Sequence, residues 1–249
     1  MSWGIIAGMK ELKKLLKDHL HLVFIDLEGT QVTHEIIEIG AYKVDLRKDL
    51  TVKKIFKPFK VYVKPKGGIG NFVTKLTGID SKIIREKGIT FRLAQQQLQK
   101  YVGRQYKKCL FVAFGDQDAK MFIASAEHNM DASMEEARYV SKHTVDFAAF
   151  LKHYVTDDHG NGRSLSHNLE IFNVKFEGQV HDACADAYNL ILLYKAFLEK
   201  KDIVREEYRK TLLRSRNLPE PIRKLVDQIA ESGSATVEDL NKYIDEELE

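Results

Sequence analysis

Cysteine, tryptophan and proline are scarce in this 249-residue chain, at two, one and four residues. Two cysteines, Cys109 in an apolar run and Cys184 in an expected helix, have no metal-ligand spacing and exclude a disulfide-built scaffold. They read as packed thiols, which fits a reducing cytosol and a cytoplasmic protein. No stretch approaches the ~18 apolar residues of a membrane span. Lys10, Lys13, Lys14 and Lys17 follow the short N-terminal apolar stretch rather than precede it, so no secretion signal is expected either. There is no internal repeat and no low-complexity tract. What remains, 44% hydrophobic and 30% charged residues, is an ordinary soluble composition, sufficient for one well-buried domain plus an appendage.

The net charge of +3 conceals a division along the chain. Between Lys43 and Lys66 nine basic residues face Asp45 and Asp49, giving +7. From Pro219 to Glu249 three basic residues face nine acidic ones, giving −6. A local basic arm is the electrostatic signature of a phosphate-backbone contact, and equally that of a solvated edge strand protected by lysines. The acidic tail opposes phosphate binding and suits docking on the body or on a protein partner.

Hydrophobic periodicity predicts an α/β order. A first helix spans about 9–19, with Leu12, Leu15 and Leu16 on one face, and leads into a strand at Leu22. Further strands are expected around Ile36–Ala41, at Phe59–Val63 with Pro58 marking an edge or irregularity, at Cys109–Phe114 and at Thr144–Asp146. Helices are expected over 91–102, 116–129, 147–155, 165–172 and 182–200. Two acidic amphipathic helices, bearing Ile222, Leu225 and Ile229 and then Leu240, Tyr243 and Ile244, form a small C-terminal extension. The expected divisions are an N-terminal helix at 1–19, a main domain at 20–201 and the acidic helical extension at 202–249.

Two carboxylates, Asp26 and Glu28, stand at the end of the Leu22 strand. Residues i and i+2 of a strand share a side, so these acids emerge side by side from an apolar element. Like charges there repel and lose hydration unless a proton or cation intervenes. A divalent cation answers that problem, and oxygen ligands favour magnesium or manganese over zinc. Asp116 and Asp118 follow a strand and open a helix, where either is able to cap or to project into a site. His181 and Asp186 lie about 140° apart if both are helical, so they share a site only if His181 occupies the loop ahead of the helix. Asp157, Asp158 and His159, beside Gly160 and Gly162, read as a polar loop rather than a second metal site.

Asp26-Leu27-Glu28 with Thr30, then Gly115-Asp-Gln-Asp118, then His181 and Asp186, together resemble the DEDDh branch of the 3′–5′ exonuclease superfamily, which includes ribonuclease T, oligoribonuclease and polymerase proofreading subunits. Leu76-Thr-Gly-Ile79 and Phe111–Asp118 carry a closer likeness to the branch that trims histone-mRNA ends and degrades small interfering RNAs, with its bacterial sporulation-inhibitor-like relatives. Gly29 departs from the commoner Thr or Ala and is expected to admit a substrate end close to the backbone; Phe114 stands where that branch often has a smaller or polar residue.

The resemblance implies a ribonuclease-H-like mixed five-stranded sheet flanked by helices. It implies hydrolysis of single-stranded RNA from the 3′ end to nucleoside 5′-monophosphates with two Mg²⁺ or Mn²⁺ ions. In that scheme Asp26, Glu28, Asp118 and Asp186 bind metal, Asp118 is chosen over Asp116, and His181 is the general base. Leu27 and Thr30 receive the terminal nucleotide. The rival functions are a DNA exonuclease of proofreading type and a nucleic-acid-binding scaffold without turnover.

Overall fold

The computed structural model describes residues 3–214 and 218–248; residues 1, 2, 215–217 and 249, which fall in the expected N- and C-terminal segments, lie outside the described residues. Its sheet comprises β1 (His21–Gly29), β2 (Ile36–Leu46), β3 (Val52–Ile55), β4 (Phe59–Tyr62), β5 (Leu110–Ala113) and β6 (Thr144–Asp146). The strand order is β3-β2-β1-β5-β6, with β4 pairing the other half of β2. Pairings among β1–β4 are antiparallel, whereas β1, β5 and β6 run parallel. The sheet is mixed as expected, but it has six strands rather than five. The additional strand is β3, whose Val-Lys-Lys-Ile lacks a period-two pattern. It forms because the chain folds back at Leu50 and pairs Val44 with Ile55.

The helices are α1 (Trp3–Leu16), α2 (Asn71–Thr77), α3 (Ser81–Lys87), α4 (Phe91–Val102), α5 (Gln117–His128), α6 (Met134–Lys142), α7 (Phe147–Lys152), α8 (Leu165–Ile171), α9 (Ala183–Glu199), α10 (Lys201–Leu213), α11 (Glu220–Ser232) and α12 (Val237–Leu248), the last two packed on each other. Capping side chains fix several starts: Asp80, Thr90, Ser133, Asp146, Ser164 and Asp182 each accept a first-turn amide. Each such cap is worth about 1 kcal/mol. Cys109 and Cys184 are free thiols. No helix among the described residues is long and apolar enough to cross a membrane.

Strand alternation divides the core into two layers. Leu22 and Phe24 of β1 pack with α9, where Leu190, Ile191 and Tyr194 are buried. Val23, Ile25 and Leu27 face the opposite layer, against Phe91 and Leu98 of α4 and Phe122 of α5. Full burial of each large apolar side chain contributes about 1.5–3 kcal/mol. Helix α9 lies directly on β2: a Cβ at Gly40 would come within 2.1 Å of the Ala183 carbonyl carbon. Glycine is therefore required at that crossing, and it brings the start of α9 to the carboxyl end of β1.

Candidate active site

Parallel β1 and β5 end at the same edge of the sheet, and the carboxyl ends of parallel strands are the usual place for a ligand crevice in α/β folds. Asp26 and Glu28 continue the Leu22–Phe24 row and so project on the α9 side as that row leaves the core. The turn after β5 leads into α5, whose first turn carries Asp118. That side chain is buried, 8% exposed. Asp116 takes the other direction. Its side chain is 60% exposed, pairs with Lys120 at 2.5 Å and makes no capping hydrogen bond.

His181 precedes α9 with φ of 64°, which turns it out of the helical path. Its backbone N–H donates to Asp186 Oδ2 at 2.9 Å. Glu28, His181 and Asp186 thereby bring one ligand atom each to within 4.8 Å of one another. Three separate elements converge here, and Asp26 and Asp118 adjoin them through direct charge interaction.

The electrostatics are those of a crowded acidic cleft. Burial, followed by the charges of Asp118, Asp186, Glu28 and Glu38, holds Asp26 well above the usual carboxylate range. Burial also lifts Glu28 to about 8, reinforced by Asp186, Glu38 and Asp118. Asp118 rises to about 7, mainly through burial and against the pull of backbone amides. Asp186 rises to about 6 for the same leading reason, opposed by the His181 amide and side chain. Among the described residues no lysine or arginine forms an ion pair with any of these four acids. Four acids without a basic partner, plus one imidazole, are a donor set suited to hard divalent cations.

Leu27 and Thr30, expected to receive the terminal nucleotide, stand at the end of β1 and just beyond it. Leu27 is buried in the layer opposite Asp26 and Glu28. Thr30 is also buried; its hydroxyl accepts from the Glu35 N–H at 3.0 Å and hydrogen-bonds Thr33 at 2.7 Å. A Cβ at Gly29 would meet the terminal methyl of Met121 at 2.3 Å, the far end of a flexible side chain.

Two residues beside the site escaped sequence reasoning in their actual roles. Glu38, directly across β2 from Glu28, was hidden within the apolar run Ile36–Ile39. Lys60, one of the basic-arm lysines, is held between Glu38 and Asp182 instead of standing free. An acid in a buried strand two residues before a glycine was the available signal.

The family model for RNase T exonucleases matches residues 23–194. A PolC-type DNA polymerase III from Caldanaerobacter subterraneus subsp. tengcongensis is 30% identical over 181 residues, which cover 72% of this chain and 12% of the polymerase. The nuclease domain of 3′hExo, a DEDDh member bound to rAMP, superposes with a TM-score of 0.59 at 18% identity, covering 73% of this chain and 93% of that one. Cell-death related nuclease 4 gives 0.57 at 19% identity, with coverages of 74% and 65%. E. coli exonuclease I bound to a dT13 oligonucleotide gives 0.56 at 16%, with coverages of 80% and 47%. These structural likenesses establish a shared fold, and the family match spans every acid of the cleft together with His181. The chain belongs to the RNase T exonuclease family.

Proposed function

We propose that residues 20–201 form a divalent-metal-dependent exonuclease domain that degrades single-stranded RNA from the 3′ end and releases nucleoside 5′-monophosphates. The observation that carries this reading is the convergence of Glu28, His181 and Asp186 within 4.8 Å, beside Asp26 and Asp118. Asp26, Glu28, Asp118 and Asp186 are the residues that would hold two Mg²⁺ or Mn²⁺ ions. Such ions supply charge neutralisation at the phosphate, a lowered pKa for the attacking water and stabilisation of the departing oxygen. His181 accepts the water proton at a ring nitrogen as the new P–O bond forms. The P–O3′ bond then breaks, and the leaving 3′ oxygen is protonated from solvent. Asp186 orients His181 through the backbone hydrogen bond at 2.9 Å. Leu27 and Thr30, at the end of β1 and in the turn that follows it, receive the terminal nucleotide and its 3′ hydroxyl.

RNA preference is supported by the branch likeness of Leu76–Ile79 and Phe111–Asp118 and by the extent of the superposition on a nuclease domain carrying rAMP. The polymerase relative favours the second reading, a DNA exonuclease of proofreading type. Digestion of matched 3′- and 5′-labelled RNA and DNA single strands with Mg²⁺, Mn²⁺ or EDTA distinguishes them. Metal-dependent early release of the 3′-terminal mononucleotide, faster from RNA, is the expected result; faster release from DNA selects the second reading. No cleavage of either polymer refutes both.

A further inference from the structure

Three charged residues outside the expected metal set meet at the start of α9. Glu38 is 1% exposed and accepts from the Ala183 N–H through Oε2 at 3.0 Å. Its Oε1, otherwise without a hydrogen-bond partner, faces Lys60 Nζ at 3.0 Å. The same ammonium donates to Asp182 Oδ2 at 2.5 Å. Asp182 Oδ1 in turn accepts from Cys184 and Ala185 N–H at 3.0 and 3.1 Å. Three successive first-turn amides of α9 are thus held by two carboxylates, and a single lysine from β4 lies between those carboxylates.

The arrangement joins three elements at one point. Glu38 stands on β2, opposite Glu28 in the strand register. Lys60 comes from β4, opposite Gly40. Asp182 is the residue between His181 and α9. Gly40 lets β2 approach so closely that this helix start has no room to slide toward the sheet. Motion in the other direction is opposed by the Glu38–Lys60–Asp182 bridge and by the amide bonds it anchors. Lys60 also places one positive charge beside Glu38, whose negative charge acts on Asp26, Glu28 and Asp186. A buried acid facing a lysine that reaches a second acid is a network in which removal of the shared member leaves uncompensated charge.

We infer that Lys60 is a positioning residue: by bridging Glu38 and Asp182 it fixes the first turn of α9, and hence the placement of His181 and Asp186 relative to Glu28. The inference rests on the catalytic reading of His181 and Asp186. It also separates Lys60 from the basic arm in which its sequence neighbourhood would place it. A lysine guiding the nucleic-acid strand acts on affinity and its salt dependence, whereas a positioning lysine acts on turnover after substrate is bound.

The test compares wild type with Lys60→Met, Lys60→Arg and Asp182→Asn in the full chain. Asp182→Asn keeps a capping oxygen while removing the charge that Lys60 meets. Two measurements are made: kcat and KM on a labelled oligonucleotide, and amide hydrogen exchange of Ala183, Cys184 and Ala185 in metal-free protein. The expected result for Lys60→Met is a roughly 10–100-fold loss in kcat, the range for residues that orient metal ligands, with KM held within about threefold. Exchange at the three amides should accelerate while β1 and the body of α9 keep their protection. Lys60→Arg should recover most of both properties, and Asp182→Asn should lose turnover in the same way. If Lys60→Met does not fold, the Arg and Asn variants decide by the same two readouts. A raised KM with unchanged kcat and unchanged exchange overturns the inference and returns Lys60 to substrate binding; no change in either readout also overturns it. If wild type degrades no nucleic acid, the proposed function fails, while the exchange measurement still judges the bridge.

Discussion

Replacing Glu28 by glutamine should stabilise the metal-free protein while disabling it. The side chain keeps its shape but loses the charge that faces Asp186, Glu38 and Asp118. In the folded protein Glu28 holds its proton up to about 8, against 4.5 for an ordinary glutamate. Between those values the folded state binds a proton that the unfolded chain has released, so wild-type stability falls as pH rises through the window. The full shift corresponds to a ceiling of about 5 kcal/mol at pH 8. Solvent at the open side of Glu28 and screening reduce the net gain to about 2 kcal/mol. For a chain of this size that is a rise in melting temperature of roughly 4–8 °C.

Thermal denaturation followed by circular dichroism in EDTA at pH 8 and pH 5 measures it. The difference should be large at pH 8 and small at pH 5, where wild type gains relief by protonation. Mg²⁺ should raise the melting temperature of wild type more than that of Glu28→Gln. A variant that melts at or below wild type at pH 8 in EDTA, or a difference independent of pH, would refute the account of the cleft as a set of mutually repelling acids.

Other perturbations test neighbouring parts of the structure. Asp26→Asn, at the acid that interacts with all the others, should lower kcat by roughly 10²–10³ or more without loss of fold, checked by turnover alongside circular dichroism. Glu35 is buried and accepts the Lys66 and Gly67 amides, each at 2.7 Å. Glu35→Ala should therefore cost about 2–4 kcal/mol in urea denaturation by orphaning those groups. Gly40→Ala forces a methyl into the Ala183 backbone and should reduce both melting temperature and turnover, whereas Gly68→Ala, with open space around its Cβ position, should change neither. Neutralising Lys53, Lys54 and Lys57 should leave kcat unchanged and flatten the salt dependence of binding by roughly 0.7 in log–log slope for each phosphate that is no longer neutralised. An unchanged slope would remove that edge from the nucleic-acid path.

The reading of β1 from sequence succeeds because apolar alternation and acid spacing carry the same instruction: Leu22 and Phe24 face inward, and Asp26 and Glu28 continue their row. The helix at 182–200 is legible for a similar reason, since Ala183, Ala187, Leu190, Ile191 and Tyr194 mark one buried stripe. Local pattern does not separate Asp116 from Asp118, because both suit a helix start; the choice depends on how the turn after β5 aims the helix. Helices α2 and α3 have only seven residues each, whereas α6, also outside the expected elements, does carry a buried stripe at Ala137 and Val140. Lys60 has the composition of a phosphate contact, and only the pairing of β4 with β2 brings it to Glu38. Charges read in sequence order give a basic arm; charges read in the sheet give an internal counterion.

Strand β1 carries core and cleft on one continuous row of side chains, Leu22, Phe24, Asp26 and Glu28. A one-residue slip against β2 would exchange its faces, turning Asp26 and Glu28 into the layer of Phe91 and Phe122 while directing Ile25 and Leu27 into the cleft. Misregistered chains would thus be unable to assemble a partly working centre, because the error that misplaces the acids also dismantles the interior. Turnover by this protein would double as a readout of strand registration, with each active molecule certifying that its sheet closed in the correct frame.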